Sequence, residues 1–261
     1  LIQKVGIRNY RIPFRVWGRG DSVIDTVAKI SIYTSLNASV RGANMSRYSE
    51  IINGVLSKGL ISLAFVRDLL IQIQEELESE DSYIKLRFPY FVKKRSPVSD
   101  KESFTNYSCI FEAKCVNDLE DFLLTVEAQY MSACPCSREM SQIDHVGNQI
   151  DLFIMKDKKN CLPGWGAHTQ RSLGRVTVHF KDPTRFVWIE DLVDIIETSA
   201  SAPIYNLLKR SDEQYITEQS YINAKFCEDV ARDIAIRLDA VSEIDAYVVV
   251  TEHFESIHLF S

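Results

Sequence analysis

Cysteine is scarce in this chain, with six in 261 residues. A small scaffold stapled by disulfides is therefore excluded, because such scaffolds are short and cysteine-dense. Long apolar runs are missing too: none approaches the roughly 20 residues that a membrane-spanning helix needs. The sequence opens at Leu1 and shows no signal-peptide pattern there. Excess charge is small and negative, 30 Lys and Arg against 36 Asp and Glu for a net −6. That balance disfavours non-specific nucleic-acid binding, yet it leaves room for a local basic pocket around a phosphorylated small molecule. No Gly-x-x-x-x-Gly-Lys-Ser/Thr run occurs, which removes the P-loop as a phosphate cradle. What remains is an ordinary globular composition, 46% hydrophobic and 25% charged. The length suits one large domain or two small ones. A reducing, cytoplasmic compartment is the expectation.

One stretch stands out, Ser132-Ala133-Cys134-Pro135-Cys136-Ser137-Arg138-Glu139-Met140-Ser141. It follows a strand-like run from Phe122 to Met131. The proline fixes its own φ and pushes Cys134 toward an extended conformation. Residues i and i+2 of an ideal strand share a face, so both thiols are expected to point into one cavity. One can bind a metal while the other stays free for chemistry. A second run, Gly166-Ala167-His168-Thr169-Gln170-Arg171-Ser172, follows a loop-like segment. The chain is expected to bring the two runs together with acidic residues and a histidine from its C-terminal third.

Periodicity gives the frame. Val5–Trp17 reads as a strand whose Pro13 marks an edge or a bulge. Gly18-Arg19-Gly20-Asp21 reads as a turn, and the β-branched alternation of Ser22–Leu36 as a strand. Helices are predicted over Met45–Leu56, with Ser46 as N-cap, and over Ser62–Leu77, where Phe65, Val66, Leu69, Leu70, Ile73 and Leu77 recur at helical spacing. Ser82–Lys93 is a strand, Ser96–Glu102 a connection, and Tyr107–Val116 with Phe122–Met131 a hairpin. Further on come a strand over Arg175–Lys181 ended by Pro183, helices over Trp188–Thr198 and Asn223–Ala240, and a strand over Ile244–Glu252. The order of elements partly repeats, though the sequence does not. It suits an α+β protein of two modules, each an antiparallel sheet with helices packed on one face.

The runs Cys134-Pro135-Cys136-Ser137-Arg138-Glu139 and Gly166 to Ser172 resemble the signature of the type IB GTP cyclohydrolase I family. So do Met45-Ser46-Arg47-Tyr48-Ser49-Glu50, Leu207-Leu208-Lys209-Arg210-Ser211-Asp212-Glu213 and Glu255-Ser256-Ile257-His258. Each piece alone is weak; in order over nearly the whole chain they are specific. The resemblance implies two tandem tunnelling-fold modules, 1–131 and 132–261. It also implies a homo-oligomer, expected to be a tetramer, whose sheets join into barrels with active sites between subunits. The stretch 142–165 is atypical of that family. It carries Asp144, His145, Asp157, Cys161 and a basic patch at Lys156, Lys158 and Lys159, around an apolar middle, Ile150–Met155, suited to a hairpin arm. A surface excursion is the favoured reading; a lid, or an added metal ligand from His145 or Cys161, is the sharper one. Asn44 stands where relatives often carry histidine.

The implied reaction turns GTP and water into formate and 7,8-dihydroneopterin triphosphate, the entry step of folate synthesis. Opening the imidazole ring needs water added at C8, and a divalent metal lowers the pKa of that water. Thiolate, imidazole and carboxylate are zinc-competent ligands, and a carboxylate in the set tolerates Mn²⁺. The resemblance implies Cys134, His168, Glu213 and His258 as metal ligands and Cys136 as a thiol acting on the substrate, with His168 serving ligation or acid–base work. Their bland readings are a buried small hydrophobe for Cys134, a strand residue for Cys136, a surface-loop imidazole for His168 and a solvated charge run for Glu213. Glu228 is chosen to accept from the guanine N–H and exocyclic amine, with Asp229 or Glu218 as the alternative register. Arg47, Lys209, Arg210 and Arg171 are candidates for the triphosphate. His179 and His253 are read as ordinary strand histidines. Two other readings remain: another pterin or deazapurine enzyme of the same superfamily, and a non-catalytic module stapled by a closed zinc shell.

Overall fold

The computed structural model describes residues 2–20, 22–58, 60–117, 119–141, 166–180, 182 and 186–259. The 142–165 insert, Pro183, Lys181 and Asp21 lie outside the described residues. Strands are β1 (Ile2–Gly18), β2 (Ser22–Leu36), β3 (Leu60–Ile61), β4 (Ser82–Arg95), β5 (Glu102–Val116), β6 (Leu119–Ala133), β7 (Thr169–Phe180), β8 (Ala202–Pro203) and β9 (Ala246–His253). Helices are α1 (Met45–Lys58), α2 (Leu63–Leu77), α3 (Pro135–Met140), α4 (Ile189–Ser199), α5 (Arg210–Ile222) and α6 (Cys227–Asp239).

All nine strands among the described residues belong to one sheet, in the order β3-β1-β2-β4-β5-β6-β7-β9, with β8 pairing β6. Every pairing is antiparallel except the short β1–β3 contact. Register explains the core. Ile30 pairs Leu86, Leu86 pairs Phe111, Phe111 pairs Leu124, Leu124 pairs Val178 and Val178 pairs Tyr247. Paired residues share a face, so one apolar surface crosses the sheet, and the helices cover it. Val66, Leu69, Leu70 and Ile73 of α2, Leu192, Val193 and Ile196 of α4, and Val230, Ile234 and Leu238 of α6 are buried there. Gly174 lets β7 approach α4, since a Cβ at that position would meet Ile196 Cγ2 at 2.6 Å. The other face carries cross-strand pairs, Lys85–Glu112 at 2.7 Å, Lys114–Asp121 at 2.9 Å and Arg175–Glu127 at 2.7 Å.

Strand alternation predicted these elements well. Pro13 does lie on an edge strand, which pairs on its outer side only at Arg15 and Val16. Ser62 caps α2, its hydroxyl accepting from Phe65 N–H at 3.1 Å. Two expectations need correction, and one helix was not expected. Ser46 is not the cap of α1: it sits in the first turn and donates to Asn44 Oδ1 at 2.6 Å, while Asn44 O accepts from Arg47 N–H. The predicted helix 223–240 starts only at Cys227, because Asn223 ends α5 and the Asp229 carboxylate accepts from Phe226 N–H, fixing a new start. Helix α5 carries no expectation from periodicity, and its first residues belong to the charged run Lys209–Glu213. Its buried residues are Asp212, Ile216, Ser220 and Tyr221, too few apolar groups to show a stripe.

Side-chain contacts strap the C-terminal half to the β4–β5 hairpin. Lys94 Nζ lies 2.6 Å from Glu197 Oε2 and donates to Ile204 O at 3.0 Å. Tyr107 donates to Glu197 Oε1 at 2.7 Å. Burial pushes the Glu197 carboxyl up, against the opposing pull of Lys94.

Candidate active site

Strand β6 ends at Ala133, and Cys134 continues in extended geometry, φ −75 and ψ 120, as the residue preceding α3. Pro135 occupies the first helical position, where its missing N–H costs no hydrogen bond and its φ suits the turn. The two thiols therefore do not share a strand face. Cys136 lies within α3 and is exposed, while Cys134 is half-buried at the strand end. The proline that favours extension before itself favours helix after itself, which is why strand alternation fails here.

The second run is stitched to the first. Cys134 N–H donates to His168 O at 3.1 Å. Ser137 Oγ accepts from His168 N–H at 3.2 Å and donates to Cys134 O at 3.3 Å. Gly166, at φ 131, turns the chain into this position. His168 Nδ1 lies 3.0 Å from Gln170 Oε1. An amide oxygen only accepts, so this contact favours the tautomer with the proton on Nδ1 and presents Nε2 as the ligating nitrogen. That arrangement is what a metal-ligating histidine needs. Ser256 Oγ lies 3.4 Å from the same nitrogen, and Phe254 N–H donates to Arg171 O. The segment that leads to His258 therefore passes beside His168.

Glu228 stands exposed in the first turn of α6, which is tied to β9 by Cys227 Sγ and Thr251 Oγ1 at 3.2 Å. Its neighbour His253 is buried, with Nε2 lacking a hydrogen-bond partner among the described residues and its ring edge-on to Tyr130. Burial pulls its pKa down, against the carboxylates of Glu255 and Glu228. His253 is thus a core imidazole held toward its neutral form. His179 pairs with Asp121 on the helix-free face.

Glu213 is exposed near the start of α5. The far end of that helix is gripped by Arg138, whose Nη1 donates to the carbonyls of Tyr221 at 3.2 Å and Ile222 at 2.8 Å. At 1.5 Å per residue, Glu213 lies roughly 14 Å along the axis from Ile222. Among the described residues, no three His, Cys, Asp or Glu side chains come together to hold a metal. The donor types fit a divalent ion; one chain brings Cys134, His168 and the His258 segment to one end of the sheet, and Glu213 stands a helix length from the carbonyls that Arg138 grips.

Arg47 lies elsewhere. Its guanidinium donates to Glu76 O at 2.6 Å, at the C-terminal end of α2, and Tyr48 beside it bonds Thr34 at 2.6 Å. Thr34 pairs Ser82, Ser82 pairs Cys115 and Cys115 pairs Glu120. Cys134 sits at the opposite end of β6, on the order of 40 Å away at strand rise. Lys209, Arg210 and Arg171 are exposed at the cysteine end. Periodicity reasoning overlooked Ser137, Gln170, Arg138 and Asp212. Asp212 is fully buried and accepts from Val98 N–H, Ser99 N–H, the Ser99 hydroxyl and Lys209 N–H. Burial pushes its carboxyl up, and those hydrogen bonds outweigh it, holding the pKa well below the usual range. Its signal was an acid three residues after the helix-start position.

The profile described as "Type I GTP cyclohydrolase folE2" matches residues 1–261. The chain belongs to this family. It is 38% identical over 257 residues to GTP cyclohydrolase FolE2 of Fervidobacterium nodosum, covering 98% of this chain and 88% of that protein. It is 38% identical to GTP cyclohydrolase FolE2 of Pelobacter propionicus, covering 98% and 89%. In fold, this FolE2-family chain is similar to the urate oxidase of Bacillus sp. TB-90, with TM-score 0.53, 10% identity, and coverage of 97% of this chain and 88% of that one. Uricase from Arthrobacter globiformis gives TM-score 0.50 at 9% identity, covering 98% and 95%.

Proposed function

We propose that the chain is a metal-dependent GTP cyclohydrolase I of type IB, converting GTP and water to formate and 7,8-dihydroneopterin triphosphate at the head of folate synthesis. Family membership over the full described length supports the activity. The observation that carries the site is the stitched pair of runs, with Cys134 beside His168 and the imidazole Nε2 left free by Gln170.

Cys134, His168, Glu213 and His258 would hold a divalent ion, Zn²⁺ or Mn²⁺. Bound there, the ion supplies Lewis acidity that makes water a competent nucleophile near neutral pH. The chain's own groups do the rest. Glu228 accepts from the guanine N–H and exocyclic amine, holding the base by its edge. The exposed Cys136 thiol, two residues from Cys134, moves protons during ring opening, with His168 beside it for ligation or acid–base work. Lys209, Arg210 and Arg47 pair with the triphosphate.

Arg47 is too far from Cys134 to meet it within one chain. The reading therefore includes a homo-oligomer, a tetramer of tunnelling-fold chains with modules at 1–131 and 132–261, in which Arg47 reaches a neighbour's site. The described cysteines are free, as a cytoplasmic location requires. No helix among the described residues is long and apolar enough to cross a membrane. Incubating the purified protein with GTP and Mn²⁺ or Zn²⁺ tests the activity: formate and a pterin that fluoresces after oxidation are expected, and the absence of both with either metal overturns it.

A further inference from the structure

Helix α5 presents Glu213 but has little apolar surface to hold it. Only Ile216 and Tyr221 are buried apolar groups, beside Asp212 and Ser220. A helix with so narrow an apolar stripe can roll about its axis unless polar contacts fix it. Both ends supply such contacts. At the start, Asp212 accepts from Val98 N–H at 2.9 Å, Ser99 N–H at 2.8 Å, the Ser99 hydroxyl at 2.6 Å and Lys209 N–H at 2.7 Å. These donors fill both carboxylate oxygens and tie the helix to the tip of the β4–β5 hairpin. At the finish, Arg138 of α3 binds the carbonyls of Tyr221 and Ile222. The roll that buries Asp212, Ile216 and Ser220 turns Glu213 and Thr217 outward.

We infer that Asp212 and Arg138 are positioning residues: their two clasps set the roll and height of α5, and so the place where Glu213, Lys209 and Arg210 are offered to metal and triphosphate. Neither touches the reacting atoms. The inference rests on the reading of Glu213 as a metal-side carboxylate, and the test separates the two.

Mn²⁺ binding is measured from the electron paramagnetic resonance of the free ion, on full-length Asp212→Asn, Ser99→Ala, Arg138→Met and Glu213→Gln. Each is first checked for wild-type circular dichroism and assembled mass. Partners that orient a ligand typically change metal affinity about 10–100-fold, and that loss is expected in D212N, with a smaller one in S99A and R138M. At saturating Mn²⁺, kcat is expected to recover while KM for GTP stays raised, because Lys209 and Arg210 remain displaced. A purely structural role lowers stability and leaves the Mn²⁺ affinity of folded protein unchanged. If D212N does not fold, S99A and R138M decide, since S99A removes only part of the first clasp and R138M removes the second while leaving the first intact. Loss of metal from E213Q with wild-type affinity and KM in S99A and R138M overturns the positioning role alone. Retention of metal by E213Q overturns the ligand reading and this inference with it.

Discussion

Helices α2 and α5 are of similar length, 15 and 13 residues, yet they are held to the sheet by different means. Val66, Leu69, Leu70 and Ile73 sink α2 into the core, each at 2% exposure or less. Helix α5 buries two apolar side chains and relies on polar clasps at its ends. A packed helix is fixed by area, roughly 25 cal/mol for each Å² removed from water, and tolerates change on its outer face. A clasped helix is fixed by a few directional bonds, and its outer face is free to carry function. The chain puts Glu213 on the second kind.

The sharpest test of that contrast removes a charge beneath α5's lead-in. Lys94→Met leaves Glu197 buried without its cation, a loss of about 3–5 kcal/mol, read from urea unfolding. The Glu197 carboxyl is already raised by burial, and losing Lys94 raises it further. A raised folded pKa gives stability that is present at low pH and lost as pH rises through it. K94M is therefore expected to trail wild type more at pH 8 than at pH 5. Leu70→Ala in α2 should cost about 2–5 kcal/mol by opening a cavity, while folded protein keeps its metal affinity; a shift in affinity would break the contrast.

Smaller effects on stability are expected around the site. Gln170→Leu removes the acceptor facing His168 Nδ1 and should cost about 0.5–1.5 kcal/mol, yet weaken metal binding about 10–100-fold by isothermal titration. His253→Asn probes the buried imidazole. Its folded pKa is depressed, so wild-type stability should fall as pH drops below the ordinary histidine value of about 6.5. Urea midpoints at pH 7.5 and 5.5 should differ less in H253N than in wild type; equal differences would contradict the burial account.

This contrast also explains what could be read from the sequence. Strands β2, β4 and β6 announce themselves by alternation, and α2 by its apolar stripe, because area-driven packing leaves a periodic trace. Clasps leave none. Asp212 looks like one charge among several in Lys209-Arg210-Ser211-Asp212-Glu213, and the rest of α5 buries too few apolar residues to show a stripe. Ser137 and Gln170 carry no pattern because each acts through one bond to His168. Pro135 acts in a different way: it favours extension at Cys134, while its own place in the first turn starts α3 and sends Cys136 away from the strand face. His253 sat at a regular strand position, and nothing in the alternation distinguished it from an exposed imidazole. Ordered motifs located the site; their roles come from which backbone each side chain grips.

The most direct measurement is a cobalt titration of metal-free protein followed by absorption. A thiolate bound to Co²⁺ gives intense near-ultraviolet charge transfer that nitrogen and oxygen ligands do not. The wild-type chain should show that band at one ion per chain, and Cys134→Ser should lack it with its fold intact. A band unchanged in the Cys134→Ser protein, or absent from wild type at saturating Co²⁺, would contradict a metal held beside His168 by the Cys134 sulfur.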